Sequence, residues 1–156
     1  MADITGKLVR ISGPLLAASG LTGVSMGEMV RVGKLGLLGE VIRIDGDVAY
    51  AQVYEDTAGM FLNEPVQALG APLSIELGPG LLGQTYDGIQ RPLIDLQKQA
   101  GDFISRGLTT DPFDYNKQWS WTPMATVGQE VNGGDFLGSV PETEHLKHFV
   151  MVPPRV

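Results

Sequence analysis

Two runs of residues, 40–44 and 47–54, meet at Asp45-Gly46, and that junction constrains this chain more than any other feature. Asp-Gly is favoured at the centre of a two-residue type I′ turn, where both central positions need positive φ. The runs therefore read as the two arms of a β-hairpin. In the second arm Val48, Tyr50, Gln52 and Tyr54 alternate with Ala49, Ala51 and Val53, so both faces are largely apolar. A sheet wet on one side would show one polar face. A small closed barrel packed against further structure fits better.

The neighbouring residues follow the same grammar. Short strands are expected at 7–11 and 29–32, the first stopped by Ser12-Gly13-Pro14 and the second by Gly33, Gly36 and Gly39. Residues 65–66 and 73–77 supply the last two of six barrel strands. In the latter, Leu73, Ile75 and Leu77 alternate with Ser74 and Glu76, the period of a strand with one buried face. Gly78-Pro79-Gly80 then halts it. One helix is expected, from Leu93 to about Ile104, with Leu93, Leu96, Ala100, Phe103 and Ile104 on one stripe. Gly101 weakens it and Gly107 ends it. Residues 109–116 have linker composition. A second β unit begins at Lys117, with strands at 119–123, 126–127, 136–140 and 149–152. The expected fold is mainly β: a six-stranded closed β-barrel over 1–77, a hinge, connecting helix and linker over 78–116, and part of another β domain over 117–156. The 21 glycines and 10 prolines suit many short strands joined by tight turns.

Composition narrows the function classes. A chain of 156 residues holds one ordinary domain or two small ones. Its net charge is −7 and its eleven basic residues are scattered, which argues against a nucleic-acid surface. With no cysteine, disulfides, thiolate zinc sites and thiol nucleophiles are excluded. No run approaches the ~20 apolar residues of a membrane span, and the first residues lack an apolar signal core. A cytoplasmic protein is expected.

Catalytic motifs are missing. A phosphate loop, GxxxxGK[ST], needs Gly-Lys followed by a hydroxyl residue, but Gly6-Lys7 and Gly33-Lys34 are each followed by leucine. Gly78-Pro79-Gly80 could form a phosphate nest; the absent lysine favours a chain-reversal hinge at Gly78 and Gly80. His145 and His148 beside Glu142 and Glu144 read as a solvated cluster, and the carboxylates at Glu55-Asp56 and Asp45/Asp47 fall in turns. No catalytic, cofactor-binding or metal-binding residue is assigned. Candidates for subunit contact or hinge action remain. Glu55, Thr57 and Gly59 lie in a loop that can cap its own backbone or meet a partner. Arg91, four residues after Asp87, reads as the carboxylate's partner in a fixed turn. Of Trp119 and Trp121, two positions apart in the expected strand, one is expected in the core and the other as an interface anchor.

Several segments in order resemble one family. Gly6-Lys7-Leu8-Val9 through Ser12-Gly13-Pro14-Leu15, Gly33-Lys34-Leu35-Gly36 through Gly39-Glu40-Val41, and Gln52-Val53-Tyr54-Glu55-Asp56-Thr57-Ala58-Gly59 followed by Glu64-Pro65-Val66 are similar to the N-terminal barrel of the catalytic A subunit of V-type and A-type rotary ATPases. Residues 77–93 resemble the exit from that barrel. Phe103-Ile104-Ser105-Arg106-Gly107 and the Trp119 region resemble the entry to its inserted, lipoyl-like β domain. The resemblance spans essentially the whole chain and implies the N-terminal portion of such a protein. It implies a parent that couples ATP hydrolysis or synthesis to proton or sodium transport. ATP and magnesium would be held beyond residue 156, so this chain alone is not expected to be an enzyme. Implied partners are other A subunits and non-catalytic B subunits in a hexameric ring, and the peripheral stalk through the insert. The implied place is the soluble head, peripheral to the membrane and not inserted in it. The rival reading is a stand-alone two-domain β adaptor with a lipoyl-like module. Modification of that module is not expected, because Glu142-Thr143 is followed by Glu144-His145 and Lys147 comes late. A downstream GxxxxGK[ST] would separate the two readings.

Overall fold

The computed structural model describes residues 4–103 and 105–154. They fall into two compact units, one within 1–75 and 96–109, the other within 76–95 and 110–156.

In the first unit six strands, β1 (Thr5–Ser12), β2 (Leu15–Ser19), β3 (Glu28–Val32), β4 (Leu37–Asp45), β5 (Val48–Val53) and β6 (Pro65–Pro72), close into a barrel in the order β1-β2-β5-β4-β3-β6. All neighbours are antiparallel. The hairpin is present but its turn is not the expected one: Asp45 pairs with Val48, so Gly46 and Asp47 are the two turn residues, and only Gly46 has positive φ, at 62°. A lone glycine of positive φ at the first central position replaces the type I′ turn expected at Asp45-Gly46. Register shifts interrupt β1 between Leu8 and Arg10, and β4 between Val41 and Arg43. Such bulges bend and twist a strand, which a small barrel needs in order to close. The interior is filled by Leu8, Leu16, Val30, Val32, Leu37, Val41 and Val66, all nearly inaccessible, with Ala49 and Ala51 allowing the tight approach of β5. The opposite face of β5 lies outside, where the Arg43 guanidinium stands 5.3 Å from the Tyr50 ring centre.

The strand count is as expected, but one strand differs. Residues 15–19, which follow the Gly13-Pro14 turn and carry no strand expectation, form β2 between β1 and β5. Residues 73–77 form no strand, and Leu73, Ile75 and Leu77 are 44%, 63% and 76% exposed. Closure explains both. Once β6 pairs with β1 and β3, the ring is complete and no edge remains for a later strand. Residues 65–66 are correspondingly only the start of β6, which runs to Pro72.

The helix α1 (Leu93–Ala100) is shorter than its apolar stripe suggests. Gly101, with φ of 72°, donates its N–H to the Gln97 carbonyl at 2.8 Å and ends it. Leu96 is buried, Phe103 is exposed, and Ile104 lies outside the described residues. Among the described residues no helix is long and apolar enough to cross a membrane.

In the second unit β7 (Thr122–Pro123), β8 (Phe136–Pro141) and β9 (Lys147–Met151) form an antiparallel sheet in chain order. The strand expected at 119–123 shrinks to two residues, and Val127, expected in a strand, lies in a turn and is fully exposed. A Cβ at Gly138 would collide with the Trp121 ring and the Thr122 carbonyl, so β8 needs glycine there.

Candidate functional site

The loop that leaves β5 carries three of the candidate contact residues. Thr57 is buried, and its hydroxyl donates to the Gly13 carbonyl at 2.7 Å. Glu55 Oε2 accepts the Gly107 N–H at 2.6 Å, and Asp56 Oδ1 accepts the Ala58 N–H at 3.0 Å. Gly59 reverses the chain with φ of 77°. The Arg106 guanidinium donates to the Asp56 carbonyl at 3.2 Å and to the Ala58 carbonyl. Glu55 and Thr57 thus spend hydrogen bonds on their own chain. In the sequence Arg106 stands out only through a resemblance, and Gly107 through that resemblance and as the end of the expected helix. A Cβ at Gly107 would lie 2.8 Å from the Leu35 carbonyl oxygen, and its φ is 71°. Tyr54 stays half exposed and donates to Glu40 at 3.1 Å. Partial burial raises its phenol pKa, and the Glu40 hydrogen bond and charge add to this.

The second unit gathers the hinge candidates. Aromatic rings lie over the glycines: a Cβ at Gly78 would stand 3.4 Å from Phe113, and one at Gly80 3.4 Å from Trp119. Gly80 also has φ of 109°. Asp87 Oδ1 accepts the N–H groups of Ile89 and Arg91 at 3.1 and 2.9 Å, while Oδ2 meets Arg91 Nε at 2.7 Å. Burial pushes the Asp87 carboxyl up, but the hydrogen bonds from Arg91 and Ile89 outweigh it and hold the group below its ordinary value. A bridge between Tyr86 and Pro92, and the Leu93 N–H to the Thr85 carbonyl at 2.9 Å, close the loop around this pair.

Neither tryptophan is fully buried. Two positions apart, they would share a face of a strand, so pleating could not place one in the core and the other outside, and the strand itself begins only at Thr122. Trp119 is half-buried, with Lys117 Nζ 4.0 Å from its ring centre; Trp121 is 48% exposed and covers Gly138. An open groove of about 320 Å³ runs beside Glu76, Leu77, Phe113, Tyr115 and Trp119. The Tyr115 hydroxyl donates to Glu76 there at 2.6 Å.

The cluster expected to be solvated is only partly so. His145 is exposed. The Glu142 side chain, however, is only 4% exposed. Its Oε1 accepts the N–H groups of Gly80 at 2.7 Å and Leu82 at 3.3 Å, and its Oε2 lies 3.3 Å from His148 Nδ1. Burial pushes this carboxyl up; the N–H groups of Gly80 and Leu82, with His148, more than reverse that. The signal in the sequence is the hairpin itself. Pro141 pairs with Lys147, so Glu142 and His148 flank one strand pair although six positions apart. Among the described residues no three metal-ligating side chains converge.

Residues 8–70 match the ATP synthase alpha/beta family, beta-barrel domain. Residues 110–156 match the ATPsynthase alpha/beta subunit barrel-sandwich domain. The chain is 55% identical over 151 residues to the A subunit of the A-type ATP synthase of Thermococcus sibiricus, an alignment covering 97% of this chain and 26% of that protein. It is 54% identical to the corresponding protein of Desulfurococcus sp. strain SY over the same shares. With that of Methanosphaera stadtmanae it is 48% identical over 153 residues, 98% of this chain and 26% of that protein. The chain thus spans about a quarter of the length of these relatives.

Proposed function

The chain belongs to the A-subunit family of the A-type ATP synthases, and from that premise we propose that it is the N-terminal assembly part of a catalytic A subunit. The parent couples ATP synthesis or hydrolysis to the movement of protons or sodium ions across a membrane. Within it, the barrel holds alternating A and B subunits in a hexameric ring and the second unit meets the peripheral stalk. It works in the soluble head of that assembly. The observation that carries this reading is the closed barrel itself, built from the residues that match the family's barrel domain.

The residues present do not fit a nucleotide. The Gly78-Pro79-Gly80 turn has no following lysine, and its Gly80 N–H is already taken by the Glu142 carboxylate. ATP and magnesium are therefore assigned to other parts of the parent, and this chain supplies shape and contact surface. The test mixes the chain with a separately produced B subunit of the same family and follows complex formation by native mass spectrometry. A complex is expected, with no heat of ATP binding to the chain alone in calorimetry. Failure to form any complex, or micromolar ATP affinity, overturns the proposal.

A further inference from the structure

The turn at residues 78–82 has the form of an anion receptor that is already occupied. Two backbone N–H groups, of Gly80 and Leu82, converge on a single oxygen of the Glu142 carboxylate, and His148 Nδ1 faces its other oxygen. Backbone amides aimed at one point make a nest for negative charge. This one is enclosed, because the carboxylate is almost wholly withdrawn from solvent while His148 is 25% exposed at its side. The turn can present those amides because Gly80 holds a φ of 109°, which a residue with a side chain adopts only under strain; Phe113 and Trp119 pack beside Gly78 and Gly80 at ordinary contact distance.

We propose that residues 78–82 and His148 form a carboxylate-binding site that Glu142 fills in cis and that a second carboxylate can enter when Glu142 withdraws. Glu142 sits on the short connection between β8 and β9, whose Thr143 and Leu146 close a tight turn, so a rearrangement of that connection alone would vacate the nest. The charged groups along the connection, Glu144, His145 and Lys147, are all exposed, and residues 78–83 contribute none. The incoming ligand is a carboxylate, either a free small anion or the side chain of an acidic partner segment. A phosphate loop it is not: there is no lysine, and the histidine approaches from a different strand.

Chemical rescue tests it on the 156-residue chain. In Glu142→Ala, hydrogen exchange at the Gly80 and Leu82 amides should quicken by about tenfold or more, the loss expected for hydrogen bonds to a charged acceptor. Acetate at millimolar concentration should restore protection at both amides saturably, whereas chloride at equal ionic strength should not. A short Asp-rich peptide is the second arm: rescue by the peptide at lower concentration than acetate identifies a protein side chain as the better source, and the reverse identifies a free anion. Adding His148→Gln should weaken acetate rescue. If Glu142→Ala loses the β8–β9 signals altogether, Glu142→Gln, which keeps the shape without the charge, replaces it. Both amides should still exchange faster than in the parent chain, and the same carboxylates should slow them. Unchanged exchange at Gly80 and Leu82 in the variant, or no saturable response to either carboxylate, overturns the proposal.

Discussion

The Thr57 hydroxyl is withdrawn from solvent, and the Gly13 carbonyl is the partner that replaces water for it. Thr57→Val keeps the volume and removes the donor, so it should lower unfolding stability by about 0.5–1.5 kcal/mol, the net worth of such a bond. Thr57→Ser should recover most of that in urea titrations. Asp87 behaves differently because its contribution depends on charge. Its folded pKa lies below the ordinary value, so its stabilisation is complete above the unfolded pKa of about 4 and disappears as pH falls through the lower folded value. Asp87→Asn should therefore be less stable than the parent sequence at pH 7, with the gap narrowing below about pH 4. A gap that widens in acid would contradict the pair's role. The Asp87–Arg91 pair is legible from spacing alone, since four residues around an Asp-Gly turn place carboxylate and guanidinium side by side. The Glu142 contact is not, because its partners are distant in sequence: 62 residues separate it from Gly80.

At the level of elements the sequence and the fold diverge most at β2 and at residues 73–77. β2 reads Leu-Leu-Ala-Ala-Ser, with little β-branched or aromatic character, and follows a Gly-Pro turn that looks like an ending. It is a strand because it has two partners, β1 and β5. Residues 73–77 alternate correctly and have none. Alternation states which face a strand would bury, and only topology states whether another strand is there to receive it. The contrast is measurable. Leu16→Ala, within β2, should cost about 2–5 kcal/mol of stability. Ile75→Ala should change it by no more than about 0.5 kcal/mol, as surface substitutions do. Comparable losses at the two positions would show that the barrel closes some other way. The β4–β5 hairpin is legible from its glycine, but its turn type and register are not: Gly46 takes the first central position and Asp47 the second, so the pairing differs from that of a turn centred on Asp45-Gly46.

Across the whole molecule the two units face different edge problems. The barrel has no free edge, whereas the β7-β8-β9 sheet has two among the described residues, and Phe136, Phe149 and Met151 lie about half exposed on it. Opening should therefore cost less in the second unit. Native-state hydrogen exchange should find the amides of β8 and β9 less protected than those of β3 and β4. Equal protection would mean that the small sheet is as secure as the closed one.

The β1–β6 seam carries a mechanical consequence. Thr5 pairs with Gln67 and Lys7 with Pro65 in antiparallel register, so the strand that enters the barrel and the strand that leaves it point their outer ends the same way. Tension applied between those ends loads the seam one hydrogen bond at a time. It does not shear the whole ladder at once. A pulling experiment with tethers beside β1 and β6 should release the barrel at low force, by unzipping along the seam that closes it.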